Sequence, residues 1–344
     1  MGPDSDSFVH LFFVPRYDKG IMVHLSDFEN ARVLRAASFR DLLVLAEQTR
    51  NEKGEIPLIL DCDGGEEEGG FLFPFSHCLV RFREGTLVSK HYANERDEQE
   101  NERTTWKTAA LKVTGSHNIF LNLCVKNISG DPSTKGQQVA LGIYGDENSF
   151  INGDFSSTQD TLFVGPLPDD LCTRYRGFLP ENERYFEGTA RSFFFSCRIA
   201  GSVDFIFGAG QALFLDCAIK TVNDGRMETY VAAPSHSLKD PFGFVFDRCR
   251  FEKDGDVPSN SAYLARPWRE YGKAVFLDCH YEDHIKTEGF SDWNGEGRDK
   301  TARFLESPLP SGRVPWAKEM KNPDFLREIR DLSNELRIDA QRVK

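Results

Sequence analysis

The sequence predicts an all-β protein built as a stack of similar coils, a β-helix with helices near both termini, in one domain over residues 1–344. Three observations predict it. Short apolar segments recur around cysteines, helical periodicity is confined to two stretches near the ends, and no linker-like composition interrupts the chain.

The recurrence is clearest around five cysteines: FLNLCVK (Cys124), FFFSCRI (Cys197), LFLDCAI (Cys217), FDRCRF (Cys249) and VFLDCHY (Cys279). A sixth segment, Ser149–Phe155, fits without its cysteine. Each reads as a short strand. In the last four the residue two after the cysteine is apolar (Ile199, Ile219, Phe251, Tyr281), so strand alternation puts it on the cysteine's face. The intervals of 20, 32 and 30 residues from Cys197 to Cys279 suit one supersecondary unit per coil with loops of varying length. A β-sandwich also repeats strands, but the near-identity of the unit favours stacked coils. The cysteines then read as small buried apolar residues, in keeping with a reducing compartment.

Phe39, Leu42, Leu43 and Ala46 follow helical spacing, with Ser38 and Asp41 as a capping pair. Asn322 and Pro323 start a second helix over 322–340, whose apolar stripe is Phe325, Ile329, Leu332 and Leu336. A β-helix has open ends, so at least one of these helices is expected to cover an end. Residues 1–37 form a divergent N-terminal segment, and the mixed charges of Asn94–Arg103 suit a solvated loop.

A net charge of −12 disfavours nucleic acid as a partner. No apolar run is long enough to span a membrane, no C-x-x-C pair suggests a metal site, and no metal or other cofactor is expected. The chain is expected to be a monomer. If Met1 is the natural start, the expectation is a cytoplasmic protein; a secreted or periplasmic chain with its signal removed would read the same.

Chemistry concentrates in GQQVAL (Gly136–Leu141), STQDTLF (Ser157–Phe163), GSVDFIFG (Gly201–Gly208), YLARPW (Tyr263–Trp268) and the later Trp293. Asp204 sits inside an apolar strand, where a carboxylate must be paired or put to use. If coils stack, Asp160 and Asp204 become lateral neighbours about 4.8 Å apart. Two close carboxylates do not ionise alike, which yields an acid beside a nucleophile or base. Arg266 could hold one of them ionised. A Ser-His-Asp hydrolase would show a G-x-S-x-G elbow, and the sequence has none.

From about Tyr92 to Glu306 the sequence resembles the pectin methylesterases (pectinesterases). YLARPWREYGKAVFLDC, GSVDFIFG and QDTLF are similar to that family's signatures and stand in its order. The resemblance implies a single-stranded, right-handed parallel β-helix and an esterase that hydrolyses C6 methyl esters of galacturonate in pectin or pectic oligosaccharides. By matching position it implies that Asp204 is the nucleophile, Asp160 the acid and then the base, and Arg266 the partner that keeps Asp204 ionised. Gln137 and Gln159 would donate to the oxyanion; Gln137 is preferred to Gln138 because the family pattern is Gln, one residue, then Val-Ala-Leu. Trp268, Trp293, Phe207 and Val203 would contact substrate.

Some features depart from the family. Ala265 replaces a usual glycine and Phe163 a usual tyrosine. The aspartates lie 44 residues apart because of an inserted stretch, Val164–Ala190, similar to one in a subset of bacterial members. Its glycines, prolines and mixed charge suggest an irregular loop that overhangs the cleft. Competing readings are a β-helix that binds polygalacturonate without catalysis, an esterase acting on another ester, and a pectate lyase, which would want a Ca²⁺ cage.

Overall fold

The computed structural model describes residues 23–96, 100–175 and 190–342. Residues 1–22, 97–99 and 176–189 lie outside the described residues, and with them most of the N-terminal segment, the centre of Asn94–Arg103 and the later half of the insertion. Parallel strands form three sheets of eleven, seven and eight strands. Each coil contributes one strand to each sheet, as in Val203–Gly208, Gln211–Leu215 and Ala218–Thr221, so the chain winds as a right-handed parallel β-helix.

The cysteine segments prove to be corners rather than single strands. Arg191–Phe195 ends in the eleven-stranded sheet, and Arg198–Gly201 begins in the eight-stranded one. Between them one residue takes a left-handed conformation: Asn122, Asn152, Ser196, Asp216, Arg248 and Asp278 on successive coils, with φ from 49° to 57°. Asn and Asp tolerate that region better than most residues. The residue after the corner turns inward, and this places Cys197, Cys217 and Cys249 in the core. Their thiols, and that of Cys279, donate to carbonyls of the preceding coil at Phe150, Phe194, Phe214 and Phe246, at 3.3–3.5 Å. All eight cysteines are free.

Cys124 belongs one place further on than the repeat suggested. It pairs with Asp154, which pairs with Arg198, so Leu123 occupies the position of Cys197 and is 1% exposed. The position demands an inward apolar group, and leucine meets that demand as well as a thiol. The residues two after the last four cysteines do stack in register, Ile199 on Ile219 on Phe251 on Tyr281.

Three residues before each corner cysteine or its equivalent stands a phenylalanine. Phe120, Phe150, Phe194, Phe214, Phe246 and Phe276 form a continuous ring stack with centroids 4.7–5.1 Å apart and planes within 12°. That spacing is the strand repeat, so the coils impose it. Each ring is fully buried, which contributes about 1.5–3 kcal/mol apiece.

The two helices close the stack differently. The first, Phe39–Lys53, is capped by Ser38, whose hydroxyl accepts from the Asp41 amide at 3.0 Å. Phe39 packs on Phe71, Phe73 and Phe82, so this helix covers the first-coil end as expected. The second, Pro323–Arg342, starts where Asn322 Oδ1 accepts from the Asp324 and Phe325 amides. It does not cover an end. Phe325, Ile329, Leu332 and Leu336 lie on Phe193, Leu213, Leu215, Val245, Val275 and Leu277, the outward face of the large sheet. That face is apolar because its residues alternate with the inward phenylalanines, and it must be covered. In the N-terminal segment, Arg32–Ala36 adds an edge strand alongside Leu58–Cys62.

Candidate active site

The seven-stranded sheet carries the site, and its irregularities create it. In Val203–Gly208 all six residues are buried. Against the next strand, Val203 pairs with Tyr230 but Ile206 with Ala232, so two residues oppose one. This is a β-bulge, which re-aims a side chain that alternation would send elsewhere. Asp204, at φ 50°, stands in the bulge. Phe205 enters the core while the Asp204 carboxylate lines the cleft. Asp160 (φ 63°) repeats the conformation one coil earlier, and its amide donates to Val203 O at 3.0 Å. Gln159 bridges to Val203 and Leu162 pairs with Ile206, so the aspartates occupy equivalent places on adjacent coils.

Arg266 follows the strand Ala262–Ala265 and forks onto Asp204, with Nε to Oδ1 at 2.8 Å and Nη2 to Oδ2 at 2.6 Å. Such bidentate pairs are strong and geometrically exacting. The guanidinium lies between two rings, 3.8 Å from the Tyr230 centroid and 4.3 Å from that of Trp293. Burial works against its charge, but the Asp204 carboxylate outweighs this and holds Arg266 more firmly protonated than usual. Among the described residues Asp160 has no such partner. Burial and then the Asp204 charge push its carboxyl well above the ordinary range, against the opposing pull of Arg266 and Arg226. The carboxylate paired with Arg266 therefore sits beside a carboxyl that burial pushes toward its protonated form.

Both carboxylates open into a cleft of about 460 Å³. Gln137, Gln159, Arg266, Phe207, Trp268 and Trp293 line it. Gln138 is fully buried: its amide donates to Gly130 O at 2.8 Å and accepts from Thr158 at 2.9 Å. Val203 is not among the lining residues; it is buried, and its carbonyl takes the Asp160 amide. No group of three or more His, Cys, Asp or Glu side chains suited to a metal is found among the described residues. None of the described helices is long and apolar enough to cross a membrane.

Trp106, Arg269 and Arg226 are not singled out from the sequence, whereas the insertion is expected to overhang the cleft. Trp106 lines it, 5.1 Å from Phe163 and 6.4 Å from Trp268 between ring centroids. Arg269 lines it too, and forks onto Asp170 at 3.0 and 2.7 Å. The insertion begins with a short helix, Asp169–Arg174, rather than irregular chain, and Leu171, Arg174 and Tyr175 reach the cleft. The sequence of Arg174–Phe178 suggests cations and aromatics for a sugar chain; of these, residues 176–178 lie outside the described residues. Arg226, on the turn before Thr229–Pro234, donates to Gln159 Oε1 at 3.0 Å. Sequence spacing does not single out Trp106, Arg269 or Arg226, because their neighbours are set by coil stacking.

The pectinesterase family model matches residues 84–167 and 181–315, more than half of the chain. Among curated proteins, pectinesterase/pectinesterase inhibitor 3 of Arabidopsis thaliana is 31% identical over 209 residues, which is 59% of this chain and 31% of that protein. The chain spans about a third of the length of the curated relatives it matches. Among solved structures, pectin methylesterase PemA from Erwinia chrysanthemi superposes with a TM-score of 0.66 at 21% identity, covering 85% of this chain and 93% of that one. A pectin methylesterase in complex with a hexasaccharide gives 0.68 at 20% identity, over 87% and 94%. The fold is thus shared well beyond the matching motifs, and the chain belongs to the pectinesterase family.

Proposed function

We propose that this protein hydrolyses C6 methyl esters of galacturonate in pectin or its oligosaccharides and releases methanol. The observation that carries the proposal is the pair itself: Asp204 held in a bidentate fork by Arg266, beside a buried Asp160 that retains its proton. Asp204 attacks the ester carbonyl carbon, and the electron pair moves to the carbonyl oxygen. The amides of Gln137 and Gln159 donate to that oxyanion; one such donor is typically worth about 3 kcal/mol. Collapse breaks the carbon–methoxy bond, and Asp160 gives its proton to the departing oxygen. The resulting acyl-enzyme is an anhydride on Asp204. Asp160, now a carboxylate, takes a proton from water, which attacks the acyl carbon and frees Asp204 and the galacturonate carboxyl group. Trp268, Trp293 and Phe207 offer flat apolar area to sugar rings. The steps use protein groups alone.

The rim formed by Leu171, Arg174 and Tyr175 supports a preference for partly de-esterified chains, since Arg174 is an exposed cation at the cleft of an acidic protein. A hexasaccharide bound to a protein of this fold supports an oligosaccharide as ligand.

The test is methanol release from methylated polygalacturonate, with unsaturated-product absorbance followed in parallel and a chelated sample beside it. The expected result is methanol without absorbance, unchanged by chelation. Binding without methanol would leave a carbohydrate-binding β-helix, and absorbance restored by Ca²⁺ would indicate a lyase.

A further inference from the structure

The Gln159 side chain has an acceptor end and a donor end, which exchange by half a turn about its terminal bond. An oxyanion is stabilised by the donor end and repelled by the acceptor end. Gln159 Oε1 accepts from Arg226 Nη2 at 3.0 Å, so the oxygen end is occupied by a cation. The Nε2 end is the one left to serve the cleft that Gln159 lines.

Arg226 is itself anchored. The Asp224 side chain, 1% exposed, faces its Nη1 at 3.2 Å and accepts from its backbone amide at 3.1 Å. The Ser202 hydroxyl also donates to Asp224. Ser202 lies two residues before Asp204, and both its amide and its hydroxyl reach Thr158 O, two residues before Asp160. The network therefore ties together the two coils that bear the aspartates. A surface arginine that only solubilised the turn would need none of these partners.

We propose that Arg226 is a positioning residue for the reaction: clamped by Asp224, it locks the Gln159 amide with its N–H end toward the oxyanion. This role rests on the esterase proposal.

The experiment compares wild type with Arg226→Met, Arg226→Lys, Gln159→Ala and the double variant Arg226→Met/Gln159→Ala on a methylated oligogalacturonate. Loss of an oxyanion donor typically lowers kcat by about 10²–10³-fold. Loss of its orientation is expected to lower kcat by about 10–100-fold, with KM changed by less than about 3-fold and a large part of the rate restored in Arg226→Lys. The double variant should be no slower than Gln159→Ala, because there is no amide left to orient. Asp224→Asn, which loosens the clamp but keeps the cation, should give a smaller fall of the same kind; it keeps the test open if Arg226→Met does not fold. A rise in KM alone, or losses that multiply in the double variant, would overturn the role and make Arg226 a direct substrate contact. An active wild type with variants at its rate sinks the role alone. A wild type that releases no methanol sinks the esterase proposal, and this role with it.

Discussion

The large sheet and the seven-stranded sheet are built from the same coils but obey opposite rules. Along the large sheet the inward residue is phenylalanine on six successive coils, and register is unbroken from Phe120 to Phe276. Along the seven-stranded sheet, register shifts between Val203 and Ile206, and two aspartates stand at positive φ. One wall is stiffened by repetition. The other departs from repetition where carboxylates must leave the core and face a cleft. Backbone strain of this kind persists only where the surroundings over-determine it, and here the Arg266 fork on Asp204 supplies a constraint.

The sharpest way to break the comparison is Asp204→Asn. It removes the nucleophile's charge while leaving the bulge and the core in place. Expected is a loss in kcat of about 10⁴-fold or more, equivalent to about 5.5 kcal/mol, with the thermal unfolding transition of the folded protein retained. Methanol release and a melting curve measure both. A variant keeping more than about a tenth of the rate, a loss of only about 1.4 kcal/mol, would remove Asp204 from the nucleophile's role.

The mirror experiment is Phe214→Ala on the other wall. Phe214 stacks on Phe194 and Phe246 at 4.7 Å, so the truncation leaves a hole at the centre of the column. Destabilisation of about 3–5 kcal/mol is expected, read as a shift in denaturant midpoint, with kcat per folded molecule within a few-fold of wild type. Loss of activity without loss of stability would mean that the two walls are not separable.

A smaller effect joins the two. The Asp160 carboxyl is held well above the ordinary range, chiefly by burial. Above the ordinary carboxylate range the folded protein binds a proton that the unfolded chain has given up. Stability from this group is therefore present at low pH and lost as pH rises through the raised value. Asp160→Asn cannot ionise. It should lose activity, yet its melting temperature should fall less than that of wild type as pH rises above the ordinary carboxylate range. Parallel pH slopes for the two proteins would show that Asp160 is not held protonated.

Much of this was legible in the chain. Asp204 announces itself as a carboxylate in an apolar run, while the roles of Asp160 and Arg266 came from motifs that resemble the family's signatures. The repeat was visible through its cysteines, but matching thiol to thiol misplaced Cys124 by one residue, since the corner needs an apolar group and not a particular one. The phenylalanines stood in the same segments, three residues before the corner positions, but that their rings stack is decided by register across coils. Trp106 and Arg226 were hidden for the same reason: Arg226 lies 67 residues from the glutamine it holds.

By itself, then, the sequence pointed to the coil unit, the first helix with its cap and three of the charged groups of the cleft, Asp160, Asp204 and Arg266. All of these rest on local pattern: alternation, capping geometry and the cost of a buried charge. Only the tertiary structure decided which residues became neighbours across coils. In a stacked fold, lateral contacts depend on register and loop length rather than on nearness in the chain. That is why the guanidinium between Tyr230 and Trp293, the clamp on Gln159 and the C-terminal helix along the large sheet could emerge only once the coils were wound.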